Sequence, residues 1–447
     1  MTSVRVASEP IDHGTSSSIA SLRGGAVQRS HPFAPWLFFL GFLLPGDMTF
    51  SLGGGKFNPE RLAIALLLVP AVFVLLRRGR HFVVSDLFVC LASMWMIAVS
   101  LQESRLPSLS SSAATVLELL GGYVVARAFF YERPALDDFI RAMKVAVTLI
   151  LAVAMVDHMS GRWVVNGILG LNPVPEFRYG LMRAESIFPH PIAYGTFCAV
   201  TGGIFLYSER SSLSRVRWVG LCLLGCLLAM SSAPLLMFCI AVFVYCYDQT
   251  TKSYAWRWKA FAAMVGVALG FIYITTENPT SWIIAHLTLD PSTGYFRKAT
   301  WDRAFYNIGL APWAGYGFDD MGDGSDFFDN VSVDCVWLVL ALRFGIPILI
   351  FLLLANIKCF FTGFGRRTAS RTPDAYMDNM RTGFTFAVMA FVLVGLTVHY
   401  WNTMWMFWGV CVGIRASLYE QSLQTRPVFA VRAEWSRSSR IVGVPAG

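Results

Sequence analysis

The chain has 447 residues, 55% hydrophobic and 14% charged, with a formal net charge of +8 at pH 7. That balance, with a mean hydropathy of +0.54, excludes an ordinary soluble domain, in which about 25% of residues are charged. Nine cysteines lie almost entirely in apolar runs, which excludes a disulfide framework and gives no zinc-type ligand spacing.

In chain order, residues 1–33 are Ser-rich, mildly basic and without an apolar core, so they are expected to form a disordered cytoplasmic tail rather than a cleavable signal. Twelve apolar runs follow over residues 34–418, each roughly 13–25 residues, near the length that crosses a ~30 Å hydrocarbon layer. They centre on Pro35–Thr49, Leu62–Leu76, Val83–Leu101, Ala113–Tyr131, Val145–Asp157, Pro191–Tyr207, Trp218–Met230, Pro234–Tyr247, Ala260–Thr276, Val331–Ala355, Gly383–Tyr400 and Thr403–Leu418. Residues 419–447 carry Arg426, Arg432, Arg437 and Arg440 and are expected to be a basic cytoplasmic tail. The fold class is therefore an all-α polytopic membrane protein of about twelve transmembrane helices. A soluble helical protein would leave so many uncharged runs without a water-facing side.

Lys and Arg set the orientation. With a cytoplasmic N-terminus, 26 of the 36 basic residues fall on the inner side and 9 on the outer, and Arg343 lies inside a span. Both termini are then cytoplasmic, and the bias explains the net charge without a nucleic-acid partner. Two outer segments are long, residues 158–187 and 277–330. The first carries Arg162, Arg178 and Arg183, with His190 beside the next span; the second carries Arg297, Lys298 and Arg303. Cations on the depleted side either meet an anionic ligand or pair with local acids such as Glu176, Glu185 and Asp302.

Within the second segment, Trp301, Phe305 and Ile308 form one stripe of a short helix over Thr300–Gly309, with Arg297 and Lys298 at its start. Gly309 and Pro312 end it, and Gly315 and Gly317, flanking Tyr316, permit a sharp turn or a close approach to a ligand. Asp319, Asp320, Asp323, Asp326 and Asp329 do not follow the EF-hand spacing, so a solvated acidic loop is expected and no metal. The run from Val331 to Phe361 is too long for one crossing. It tilts, breaks near Gly345-Ile346-Pro347 or projects outward; projection of its first two turns puts Asp334 at the outer lip. Arg343 then needs a partner inside the bundle, for which Glu118 is a candidate, or it lines a ligand path.

Three stretches resemble the O-antigen polymerase and O-antigen ligase superfamily of bacterial envelope glycosyltransferases. Arg183-Ala184-Glu185-Ser186-Ile187-Phe188-Pro189-His190-Pro191 is similar to the family's Arg–small–Phe–x–x–Pro opening of a span. Ser231-Ser232 resembles its Ser-rich turn. Arg297-x-x-x-Trp301 with Pro312-x-x-Gly315-x-Gly317 resembles the signature at the end of the large periplasmic loop. Asp334-Cys335 stands where ligases of the family place a His-Asn pair, which favours a polymerase-type member.

The resemblance implies a GT-C-like architecture with residues 277–330 periplasmic, in the inner membrane. It implies transfer of a glycan from undecaprenyl diphosphate to a sugar hydroxyl, building exopolysaccharide or O-antigen, without a cofactor. A flippase and a chain-length regulator would be pathway partners, beside membrane lipids. The leaving diphosphate needs cations and a placed acceptor more than a strong base. Arg183 and Arg297 match family positions for that task, with Arg178, Lys298 and Arg303 in support. Asp334 would act on the acceptor hydroxyl, or else cap the following helix. His190 and Tyr316 are the further candidates for contact with substrate, although the position of His190 favours packing at the start of its span. A ligase, a secondary transporter and a non-catalytic component of a polysaccharide export complex are the alternatives.

Overall fold

The computed structural model describes residues 33–46, 48–52, 55–77, 80–102, 106–170, 174–277, 291–318, 333–360 and 375–424. Both expected tails, apart from Phe33 and residues 419–424, and the acidic loop Asp319–Asp329 lie outside the described residues. The described chain is helical, with two short antiparallel hairpins, Phe50–Leu52 with Gly55–Phe57 and Phe177–Arg178 with Leu181–Met182.

The helices are α1 (Phe33–Leu43), α2 (Pro59–Leu75), α3 (Val84–Gln102), α4 (Leu106–Val116), α5 (Gly122–Phe129), α6 (Arg133–Ser160), α7 (Val164–Ile168), α8 (Pro191–Ser208), α9 (Ser212–Ala229), α10 (Ser232–Thr250), α11 (Arg257–Thr275), α12 (Pro291–Leu310), α13 (Val336–Phe344), α14 (Ile346–Phe360), α15 (Ala375–Val394) and α16 (Asn402–Gln424). A π-turn, Leu117–Gly121, joins α4 to α5. Each expected apolar run contains a helix. Among the described residues, six helices are long and apolar enough to cross a membrane, α3, α4 through α5, α6, α9, α10 and α11.

Burial explains why others do not qualify by composition. In α8 every residue except Ile192 is buried, and in α16 Thr403 to Leu418 are all buried. A helix surrounded by protein has no lipid-facing side, so it can carry Thr196, Thr201 and Arg415. By contrast α11 buries none of its residues and is apolar all round. Small residues set the closest crossing: α16 lies on α5, where a Cβ on Gly413 would stand 2.5 Å from the Tyr123 carbonyl and one on Gly122 2.6 Å from that of Met406. Such contact replaces the hydrophobic drive that lipid does not supply.

Polar side chains gather in two layers at opposite ends of the bundle. At one end Arg80, Asp86, Arg127 and Glu420 interlock, and Lys144 pairs with Glu209 at 2.6 Å. At the other, Arg61 meets Glu118 and Asn402, and Thr403 meets Glu60.

The run from Val331 takes the break that was one of the three ways expected for it, at Gly345 between α13 and α14, instead of projecting as one helix. Three expectations are corrected. Helix α15 stops at Val394, so Gly395 to Tyr400 form a connection and not the end of a span. Helix α16 runs to Gln424 because Glu420 in its last turns is needed by two arginines, so the tail does not begin at 419. The helix expected over Thr300–Gly309 has twenty residues, and its buried face is Thr300, Ala304, Asn307 and Ile308; Phe305 is exposed.

Candidate functional site

The last turn of a helix leaves its carbonyls without intrahelical partners. For α13 these four are Ala341, Leu342, Arg343 and Phe344, and all four are satisfied. Gly345 N–H donates to Ala341 O (2.9 Å), Tyr316 N–H to Leu342 O (2.7 Å) and Gly317 N–H to Arg343 O (2.9 Å). Trp95 Nε1 donates to Phe344 O (2.8 Å), and Ile346 N–H returns to Pro312 O (2.7 Å). The Pro312-x-x-Gly315-x-Gly317 stretch is thus laid along the helix break, where Gly315 and Gly345 both take positive φ. This fixes the last turn of α13, and with it Arg343.

Arg343 lines a cavity of about 630 Å³. Its walls include Arg61 from α2, Glu118 from the π-turn, Phe318 after the Pro312–Gly317 stretch, and His399, Trp401 and Trp405 around the start of α16. Arg61 Nε donates to Glu118 Oε1 at 2.7 Å and its Nη2 to Asn402 Oδ1 at 3.2 Å, so one lining cation is already balanced. Glu118 therefore does not pair with Arg343, contrary to expectation. Arg343 sits 4.3 Å over the Phe318 ring and makes no ion pair among the described residues. His399 Nδ1 is buried and lacks a hydrogen-bond partner among the described residues. Burial first, and then the Arg343 charge, push this imidazole down to about 4, so it is neutral at pH 7.

Trp401 separates this cavity from the segment holding the arginine expected first. Its ring stacks on His190 (5.2 Å, 15° between planes), and His190 Nδ1 accepts from Ile192 N–H as the cap of α8. Behind it, Arg183 pairs with Glu176, and its Nε donates to Ala229 O at 3.1 Å. Arg178 Nη1 donates to Met230 O at 2.8 Å, and Ala184 N–H to Leu228 O at 3.0 Å. Three consecutive carbonyls at the end of α9 are therefore closed by this segment, and both arginines brace a helix end. Arg183→Ala is expected to lower stability by about 2 kcal/mol, since a buried acceptor loses its donor. Thermal unfolding of the purified variant measures this, and an unchanged midpoint would show that the brace carries no weight.

The other expected residues do not converge on one point. The backbone of Arg297 lies in α12, with its side chain outside the described residues. Lys298 Nζ pairs with Asp302 at 3.1 Å on the exposed side of the same helix. Arg303 lies over the Tyr306 ring at 5.6 Å. Tyr316 donates its hydroxyl to Asn307 O at 3.0 Å. Asp334 precedes α13, capped by Cys335, and is not among the cavity's lining residues. It does not take the Val336 N–H, which goes to Gly395 O and Val398 O at 2.9 and 3.0 Å.

Arg61, Glu118, His399 and Trp401 were not singled out as site residues from the sequence. The available signal was the His399-Tyr400-Trp401-Asn402 interruption between two apolar runs. No group of His, Cys, Asp and Glu among the described residues is arranged to hold a metal ion. No family model matches the chain, and no curated protein matches it.

Proposed function

We propose that this membrane protein is a glycosyltransferase that polymerises undecaprenyl-diphosphate-linked oligosaccharide repeats into exopolysaccharide or O-antigen at the periplasmic face of the bacterial inner membrane. In this reading twelve helices cross the membrane, both termini are cytoplasmic and residues 277–330 are periplasmic. The observation that carries it is the cavity of about 630 Å³, whose walls join cations with indole and phenol rings. Arginines suit the phosphates of the donor and aromatic faces suit sugar rings, while a transport path needs no such pairing at one end of the bundle.

The reaction asks little covalent chemistry of the protein. The acceptor hydroxyl attacks the anomeric carbon, the bond to the diphosphate oxygen breaks, and undecaprenyl diphosphate leaves with the electron pair. Cations stabilise that charge, and a carboxylate takes the hydroxyl proton. The carboxylates proposed for this step are Asp334, just before α13 and outside the cavity wall, and Glu118, which lines the cavity. Asp334→Asn keeps the shape and removes the base, so turnover should fall about a hundredfold while lipid-linked repeat still binds. Purified protein in lipid vesicles, given lipid-linked repeat, should form polymer; a ligase would instead need a distinct acceptor. No conversion of the repeat by wild-type protein, with or without an added acceptor, would return the chain to a transporter or an export scaffold. Full turnover by the Asn variant would leave Glu118 as the base.

A further inference from the structure

Among the described residues, the charges lining the cavity do not cancel. Arg61 and Glu118 neutralise each other, and His399 is neutral, so the remaining charge belongs to Arg343. An arginine within a membrane bundle ordinarily finds a carboxylate or backbone carbonyls. Arg343 has the negative end of α13 behind it, and the ring of Phe318 covers one face of its guanidinium. Neither uses its in-plane N–H donors. Beside it in the same cavity, His399 Nδ1 is buried without a partner among the described residues. A cation with open donors and an orphaned ring nitrogen in one cavity make a built site for an oxyanion.

We infer that Arg343 and His399 form an anion subsite that takes the phosphate of a lipid phosphoester, here the diphosphate of the lipid-linked donor. This rests on the donor proposed above. It assigns the phosphate to residues different from Arg183 and Arg178, whose guanidinium groups face carbonyls at the end of α9. Arg61 and Glu118 then frame the neighbouring space for the sugar. The planar fork of Arg343 can donate two hydrogen bonds to one phosphate, which a lysine cannot. The clamp on its own carbonyl by Gly317 keeps the helix end from moving when the ligand leaves.

The test is binding to wild-type protein and variants in phosphatidylcholine nanodiscs, with farnesyl diphosphate as the probe. Arg343→Gln should weaken binding at least ~tenfold, and Arg343→Lys should restore only part of it. His399→Ala should weaken it less than Arg343→Gln. Because Arg343 has no ion pair among the described residues, the thermal midpoint of Arg343→Gln should stay or rise. Wild-type binding by Arg343→Gln overturns the subsite, and so does a lowered midpoint with binding retained, which marks a structural cation. Equal competition by phosphatidylglycerol would make this a general headgroup site and overturn its assignment to the donor. Binding that depends on Arg343 in a protein that forms no polymer would keep the subsite and refute the polymerase. Polymer formation with Arg343-independent binding would do the reverse.

Discussion

Glu420→Gln should destabilise the protein by about 3–5 kcal/mol, because it strands two buried guanidinium groups on one remaining carboxylate. Glu420 has a side chain with no solvent exposure and holds Arg80 at 2.9 Å and Arg127 at 2.7 Å. It also accepts the His81 N–H at 2.7 Å. Arg127 uses its other donors on Asp86 (2.9 and 3.1 Å) and the His81 carbonyl (3.1 Å). Two cations and two anions thus balance, tying together α3, α5, α16 and the segment before α3. Ending the chain at Leu418, where the sequence places the start of a tail, removes Glu420 and should cost as much. The exposed pair Lys298–Asp302 is the contrast: its loss should cost under ~1 kcal/mol. Unfolding midpoints in detergent measure all three. A Glu420→Gln protein as stable as wild type would mean that this interlock does not hold the bundle end.

The helical plan was legible because run length and composition answer directly to the thickness of a bilayer. Helix ends were less so. His399, Tyr400 and Trp401 pass for the end of an apolar run, yet their rings belong to a connection that turns back into the cavity. The break at Gly345 was one of three ways to fit an overlong run, and the sequence offered no means to choose. The site was legible only where a charge interrupted an apolar run, as at Arg343. The Arg61–Glu118 and Arg61–Asn402 contacts join positions 57 and 341 residues apart, which no spacing reveals. Arg183 and Arg178 were visible as outer cations, but their partners, the carbonyls of Ala229 and Met230, become available only when α9 ends beneath them.

Gly345→Ala should be among the most damaging single changes at the site end, at about 4 kcal/mol or more. Gly345 has φ 75° and ψ −176°, a conformation that costs a residue with a Cβ about 1–3 kcal/mol. The added methyl would run into the carbonyl of Trp313, and that segment cannot step aside cheaply. It is tied to the break by Ile346 N–H to Pro312 O, Tyr316 N–H to Leu342 O and Gly317 N–H to Arg343 O. Losing those three bonds adds about 1 kcal/mol each. Gly309→Ala is the internal control, since a Cβ there meets nothing within 4 Å and Gly309 sits in α12. That change should be neutral or stabilising by up to ~1 kcal/mol. The functional consequence separates two roles for the Pro312-x-x-Gly315-x-Gly317 stretch. If it is a clamp that holds the end of α13, Gly345→Ala should weaken diphosphate binding through Arg343 even at temperatures where the protein stays folded. If the stretch touches the ligand itself and does not act through the helix end, Gly345→Ala should retain binding at those temperatures.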